Sequence, residues 1–217
     1  MRKITTLLII LALLTFFSLP IDSFATGLGI QIPAIGSGTS SATSGNEELT
    51  DTDNSHFGIA FVFDTKVANP GVFNYRLQIG YESFKLDNES YYRFINNPDD
   101  DLSRFSADNT FGFAVLQTRI VRIWLGPQIR LSYLTYSDTF IDLNLIGVGF
   151  APAIGVNFNL GSFFTLAPEL GYRFSIYNGT ISTTEAWISD DSENYKLINR
   201  EFFIKLNIII RINDYYM

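Results

Sequence analysis

Residues 146–160 read IGVGFAPAIGVNFNL, and this stretch decides the fold. Its even positions are apolar, with one proline, whereas its odd positions are mostly glycine or alanine. Alternation with a period of two indicates a β-strand whose two faces meet different surroundings. A face built from Gly147, Gly149 and Ala151 suits a crowded interior far better than a wet surface. The stretch therefore predicts a strand whose apolar face points outward.

The same alternation recurs along the chain and predicts eight strands, at 27–35, 57–66, 71–84, 110–120, 123–136, 146–160, 164–176 and 202–212. The phase slips within 110–120, so we expect a β-bulge near Leu116. Pro127, Pro152 and Pro168 lie inside these segments and lack a backbone donor, so we also expect bulges at these three prolines.

Two architectures produce alternating strands, and they differ in which face looks outward. A soluble sandwich or lipocalin-like barrel buries its apolar face, whereas a membrane barrel turns that face to lipid and fills its interior with polar or small residues. Charged residues make up 17% of the chain, below the quarter or so that is typical of soluble domains. We therefore predict an all-β fold, an eight-stranded antiparallel up-and-down transmembrane β-barrel.

The amino terminus predicts export. Arg2 and Lys3 precede an apolar run over 4–19, and Ser23-Phe24-Ala25 has the small-residue pattern of a signal peptidase site. We expect residues 1–25 to be a cleaved signal peptide and 26–217 to be the barrel.

The expected signal peptide carries a net charge of +1, so the net charge changes from −7 for the whole chain to about −8 for the mature chain, which argues against a nucleic-acid partner. The chain has no Cys, which excludes disulfides and thiolate sites.

The connections between the strands alternate in length. We expect long extracellular loops near 36–55, 87–109 and 178–199, and short turns between them. Short periplasmic turns and longer outer loops are typical of outer-membrane barrels. With eight strands, both ends of the barrel lie on the periplasmic side.

Charged residues on the polar faces are expected to point into the lumen: Asp64, Arg76, Glu82, Arg130, Glu169, Arg173, Glu201, Lys205 and Arg211. Either they form a conduction pathway, or they form a structural network in which each buried charge is paired. Eight strands enclose a lumen that side chains just fill, which favours the network. We expect a central pair between Glu169 and either Arg173 or Arg130.

His56 is the only histidine, and it lies beside Ser55 with Asp51 and Asp53 upstream. Nucleophilic catalysis needs a base that is hydrogen-bonded to the nucleophile and oriented by a third group. Adjacency in sequence does not supply that geometry, because neighbouring residues of a strand face opposite ways. We therefore expect His56 to be a polar residue where loop meets strand, with catalysis as the alternative.

The expected loops carry most of the acidic residues, including Asp99-Asp100-Asp101, and several aromatic ones, such as Tyr91, Tyr92, Phe94 and Trp187. A second acidic segment contains Glu47, Glu48, Asp51 and Asp53. Neither of the two segments has the spacing of a calcium loop, so we expect no metal site and no cofactor. The expected partners are outer-membrane lipid, lipopolysaccharide and extracellular ligands that bind these loops. We expect a monomer.

Four segments carry a resemblance to a known group: GPQIR at 126–130, GVGF at 147–150, GVNFNLG at 155–161 and PELGYRF at 168–174. They resemble the strands of small outer-membrane barrels of the opacity, adhesin and OmpA-like superfamily, and the resemblance covers most of 27–214. The resemblance is specific for architecture and loose for function. For the chain as a whole we expect a structural or surface-interaction, adhesin-like role without catalysis. A lipid A-modifying enzyme that uses His56, and a narrow channel, stay open as alternatives.

Overall fold

The computed structural model describes residues 26–44, 47–48, 51–65, 67, 71–86, 101–138, 141–183 and 191–212. The expected signal peptide, at 1–25, lies outside the described residues. Among those described, no helix is long and apolar enough to cross a membrane.

Strands make up nearly all of the described chain: β1 Thr26–Ser44, β2 Glu47–Glu48, β3 Thr52–Asp64, β4 Phe73–Leu86, β5 Leu102–Gln117, β6 Val121–Ser137, β7 Ile141–Leu160, β8 Phe164–Thr183 and β9 Asp191–Ile212. Each long strand pairs antiparallel with the next, and β1 also pairs with β9, which closes the ring. The two-residue β2 pairs only with the end of β1. Eight long strands therefore form a closed, up-and-down barrel, as the sequence predicts.

The outer face of the barrel carries a continuous apolar band. Its aromatic and aliphatic side chains are half exposed on every long strand, as at Phe57 (56%), Val148 (55%) and Ile204 (52%). Soluble monomers rarely expose an apolar patch of more than a few hundred Å². A closed ring pairs all backbone groups without an edge, which is the condition for spanning hydrocarbon with strands. The band is therefore the surface that faces lipid.

Beyond this band the strands continue, and on β4 to β9 the polarity of the two faces reverses, whereas β3 keeps the polar Thr52 and Asn54 inside. On β7, Asp142 and Asn144 point outward while Leu143 and Leu145 point inward. The inner residues of this end form one apolar cluster, here called the apolar cap: Ala42, Phe84, Leu86, Leu102, Leu134, Tyr136, Ile141, Leu143, Leu145, Tyr177, Ile181, Tyr195 and Leu197. The cavity left among them measures only about 20 Å³, roughly the space of one water molecule.

The expected bounds of the long loops, 36–55, 87–109 and 178–199, are too wide. β1 runs on to Ser44, β5 begins at Leu102, and β8 and β9 reach Thr183 and Asp191. The reason is the reversal of polarity, because these strand ends are polar outside and break the apolar-out pattern of the band. The remaining residues, 45–46, 49–50, 87–100 and 184–190, lie outside the described part.

The bulge expected near Leu116 is confirmed, since the β5–β6 register shifts between Ala114 and Leu116. The bulges expected at the three prolines were wrong. Pro127 lies opposite Pro152 in an unbroken β6–β7 register, and Pro168 lies opposite Leu206. The β7–β8 ladder loses pairs beside Pro152 and Pro168 but resumes in the same register, so only local hydrogen bonds are lost.

A second bulge lies in β1, where the register shifts between Gln31 and Ala34 against both neighbouring strands. The described residues 65, 67, 71 and 72 between β3 and β4, and the short connections at 118–120 and 161–163, lie at the end of the barrel that also holds Thr26 and Ile212. The last of them turns through Gly161, whose φ of 65° favours glycine. By the usual arrangement of outer-membrane barrels this end is periplasmic, and the apolar cap lies at the outer end.

Candidate functional site

Five ion pairs line the middle of the lumen, and each joins residues directly opposite one another on neighbouring strands. The pairs are Asp64–Arg76, Glu82–Arg104, Asp108–Arg130, Glu169–Lys205 and Arg173–Glu201. Opposite residues on paired strands have Cβ atoms about 5 Å apart, within reach of opposite charges. Five cations face five carboxylates, so this set, here called the charge network, is neutral. All ten side chains are buried.

Further contacts join the pairs to one another. Arg130 donates to Glu82 at 2.8 Å as well as to its opposite partner Asp108 at 2.6 Å. Arg104 donates to Glu201 at 3.1 Å. A charge that is removed from water is costly unless it is paired and hydrogen-bonded, and this sharing gives both carboxylate oxygens of Glu82 and of Asp108 a donor.

Three of these contacts cross the whole lumen. In the ring of eight, β5 is diametrically opposite β9, and β4 is opposite β8. Lys205 Nζ lies 2.6 Å from Asp108 Oδ2. Arg104 reaches Glu201 between the same two strands, and Arg76 donates to Glu169 at 3.3 Å between β4 and β8. Side chains therefore bridge the barrel from wall to wall.

Neutral amide side chains inside the barrel hydrogen-bond to members of the charge network. Gln128 donates to Glu169 at 2.7 Å, and Gln78 accepts a hydrogen bond from Lys205 at 2.9 Å. Asn157 accepts from Arg76 at 3.1 Å and from the indole of Trp124 at 3.2 Å. These amides extend the hydrogen bonding toward the periplasmic end.

Aromatic rings pack against the cations from within. The Phe203 ring lies between Arg173 and Lys205, with the guanidinium carbon 4.3 Å and the ammonium nitrogen 4.9 Å from its centroid. Arg104 stacks on Phe84, 4.7 Å from that ring's centroid, at the base of the apolar cap. A cation over a ring face is attracted by its quadrupole, more so when both are desolvated. The network is thereby enclosed by rings as well as by the wall.

Eight of the nine charged residues that the sequence placed in the lumen belong to the charge network. The ninth, Arg211, points inward at the periplasmic end, where it donates to the carbonyl of Gly161. The central pair of Glu169 with Arg173 or Arg130 was wrong: Glu169 contacts Arg76 and Lys205, at 3.3 and 3.9 Å. Glu169 and Arg173 lie four residues apart on one strand, about 13 Å, so each bonds across the ladder instead.

Sequence reasoning missed two members of the network, Arg104 and Asp108, and a further buried cation, Arg122. The first two lie within 87–109, the stretch expected to be a loop. Arg122 donates to the carbonyl of Gly71 at 2.9 Å. The alternation of Arg104, Ser106, Asp108 and Thr110 on β5 is a signal that could have found the first two.

His56 does not lie where loop meets strand, as expected, because β3 begins four residues earlier, at Thr52. It is buried inside the barrel, and its Nδ1 lies 3.3 Å from Glu201 Oε2 without the geometry of a hydrogen bond. Asp51 and Asp53 are exposed and Ser55 is half exposed on the outer wall. Among the described residues, no hydroxyl group bonds to either ring nitrogen. The reason is strand alternation, which turns Ser55 and His56 to opposite sides of the wall.

Comparisons with known proteins give a structural likeness only. No protein-family model and no curated protein sequence matches the chain. The outer membrane protein OprG from Pseudomonas aeruginosa is similar in structure, with a TM-score of 0.59 at 8% identity, covering 86% of this chain and 96% of that one.

Two weaker likenesses are Neisserial surface protein A, with a TM-score of 0.42 at 12% identity over 85% of this chain and 97% of that one, and AlkL, with 0.44 at 12% over 92% and 99%. The likeness to OprG concerns the fold alone, and the closed ring with its apolar outer band is the observation that places this fold in a membrane. The chain is an eight-stranded β-barrel of the bacterial outer membrane, with the architecture of the small barrel proteins that its strands resemble.

Proposed function

We propose that this protein is a structural and surface-interaction barrel, adhesin-like, that neither conducts ions nor catalyses a reaction. The observation that carries the proposal is the set of contacts that cross the lumen. Lys205 meets Asp108 and Arg76 meets Glu169, each between diametrically opposite strands. The apolar cap covers the charge network on its outer side. Two different kinds of packing therefore close the same path.

The second support is the projecting outer end. Its outward residues are polar, as at Asp53, Ser103, Asp142, Asn178 and Thr180, while the apolar cap fills its interior. Such a section holds its shape in water as a soluble barrel does. It presents the expected loops on a rigid stem, and binding loops carried by a rigid scaffold are a common arrangement.

The proposal that the protein is not an enzyme is based on the position of His56. Its described neighbours offer a carboxylate, Glu201, which also pairs with Arg173 at 2.6 Å and Arg104 at 3.1 Å. A general base needs a nucleophile within hydrogen-bond reach and access to substrate. His56 lies inside the wall, on the far side from the lipid that an acyl-transfer enzyme would have to reach.

Planar-bilayer recording tests the closed lumen. We expect purified mature protein to add no stepwise conductance at neutral pH and moderate voltage. The matched sample is a variant in which Asp108 and Glu201 are both replaced by alanine, which removes the acceptors of both β5–β9 contacts. Reproducible single-channel steps from the wild-type protein would contradict the proposal and favour a narrow channel.

Cell attachment tests the surface role. We expect a Gram-negative strain that expresses the protein to adhere to epithelial monolayers or aggregate more than the empty-vector strain. Replacing Tyr91, Tyr92, Phe94 and Trp187, which belong to the expected loops, with alanine should remove that gain, because aromatic residues are enriched at interfaces. Lys85→Gln serves as a control outside the loops. Equal adhesion with and without the protein would overturn the surface role and leave a structural one.

A further inference from the structure

Arg200 is the one charged residue in a ring of small polar ones. On each long strand we take the first polar side chain that points outward beyond the apolar band, and call the set the rim ring: Ser37, Ser55, Ser83, Ser103, Thr135, Asn144, Asn178 and Arg200. Seven are Ser, Thr or Asn, which suit the boundary between hydrocarbon and water without charge. An arginine at this height needs a separate reason.

Arg200 is exposed, and no side chain among the described residues hydrogen-bonds or ion-pairs with it. Its cross-strand neighbours are Thr39 and Phe174, neither of which carries a charge. Lys196 lies four residues further out on the same face of β9, about 13 Å along the strand, and also has no described partner. By contrast, Lys85 on β4 is paired with Asp101 at 3.1 Å.

The surface beside Arg200 on β8 and below it on β9 is apolar. Phe202 and Ile204 on β9 and Tyr172 and Phe174 on β8 are 41–52% exposed. They form a two-strand column that descends into the band. Apolar rings and aliphatic side chains topped by cations match a lipid that has acyl chains below and an anionic headgroup above.

We propose that Arg200 and Lys196 hold a phosphate of lipid A in the outer leaflet, with an acyl chain packed on the Phe202–Phe174 column. The cap end of the barrel is the outer end, and lipopolysaccharide supplies the anionic headgroups of that leaflet. A guanidinium matches phosphate geometry by paired, charge-assisted hydrogen bonds, and the ammonium adds a second positive charge.

One carboxylate limits where the phosphate can lie. Asp53 on β3 lies opposite Thr39, which in turn lies opposite Arg200. Two strand spacings separate Asp53 from Arg200, about 10 Å, so Asp53 repels a phosphate on its own side. Asp51 accepts a hydrogen bond from Ser41 on the same wall. The phosphate is therefore placed toward β8, where the described outward residues near Arg200, Phe174 and Asn178, are uncharged.

The test is a lipid-binding titration of the purified mature protein in neutral detergent micelles that contain EDTA, so that divalent cations form no bridges. The probes are bis-phosphorylated lipid A, its dephosphorylated form and phosphatidylglycerol. We expect saturable binding of the phosphorylated lipid A, and an affinity roughly tenfold lower for the Arg200→Gln, Lys196→Gln double variant. Lys85→Gln, which removes a paired cation at a similar height, should bind as the wild type does.

Equal affinity of the double variant and the wild type would overturn the proposal. So would equal binding of the dephosphorylated lipid, or of phosphatidylglycerol, since either would leave no role for the lipid A phosphate. The three substituted residues, Arg200, Lys196 and Lys85, are exposed. Unchanged strand content by circular dichroism shows that each variant folds. The inference rests on the orientation of the barrel and not on adhesion, so the attachment and conductance results do not decide it.

Discussion

Lys205 on β9 and Asp108 on β5 meet at 2.6 Å across the full width of the barrel. The same carboxylate accepts from Arg130 on the adjacent strand, at 2.6 and 2.7 Å, so Asp108 joins one wall to the opposite one. Packing in the lumen and pairing in the wall are therefore parts of a single hydrogen-bonded structure, and stability should depend strongly on this residue.

Asp108→Asn should destabilise the barrel by about 3–5 kcal/mol. The change leaves Arg130, Arg173 and Lys205 buried with one carboxylate too few, and removing one partner of a buried ion pair typically costs that much. Urea unfolding in detergent, followed by the fluorescence of the two tryptophans, Trp124 and Trp187, measures the loss. The control is Asp101→Asn in the exposed pair with Lys85, which should cost less than about 1 kcal/mol. Similar losses for the two variants would show that the charge network contributes little.

Gly155→Ala should destabilise the barrel because its new methyl group overlaps the indole of Trp124, which is fully buried. Overpacking of this kind typically costs about 1–3 kcal/mol. The Trp124→Leu variant and the Gly155→Ala, Trp124→Leu double variant complete a double-mutant cycle. Circular dichroism monitors the unfolding of each protein. We expect the cost of Gly155→Ala to fall when Trp124 is replaced, since neighbours that share a contact are not additive. A cost that is the same in both backgrounds would place the strain elsewhere.

Arginine scanning along β8 should locate the lipid-facing band. Leu170→Arg places a cation near the middle of the band and should cost about 2–4 kcal/mol, whereas Asn178→Arg, beyond the band on the same face, should cost about 0–1 kcal/mol. The free energy of unfolding from lipid vesicles measures both. Equal costs at the two positions would mean that the band does not face hydrocarbon.

His56→Ala should leave lipid A chemically unchanged. Mass spectra of lipid A from a strain that expresses the wild-type protein should match those from the empty-vector strain, and the variant should match both, because His56 lies inside the wall beside Glu201. A shift in the mass of lipid A that appears with the wild type and disappears with His56→Ala would establish an enzyme and overturn the proposed function.

The strands of the band could be predicted from sequence because lipid outside and charges inside give the strongest contrast between alternate residues. β7 and β8 show it over more than a dozen positions each. β5 shows it poorly: its outward residues Ser103, Ala107 and Asn109 are small or polar, so the pattern does not distinguish the segment around Arg104 and Asp108 from a loop. The alternation in the sequence therefore reveals a strand only where its outward and inward residues differ strongly in polarity.

The partners within the charge network were harder to predict than its members. Opposite residues depend on register, and a shift of one position exchanges the two faces of a strand. The turn at 161–163 fixes the β7–β8 register, whereas β8 and β9 are joined through residues outside the described part. The pairing of Arg173 with Glu201 and of Glu169 with Lys205 therefore follows from closure of the whole ring.

The reversal of polarity along six of the long strands, β4 to β9, sets the depth at which the barrel sits. On β6 the outward side chains change from Ile129, Leu131 and Tyr133 to Thr135 and Ser137, while the inward ones change from Arg130 to Leu134. Sliding the barrel by one two-residue step, about 7 Å of strand, would immerse hydroxyls in hydrocarbon or lift aromatic rings into water. The sequences of these six strands therefore fix the vertical position of the barrel and the thickness of the membrane that it fits.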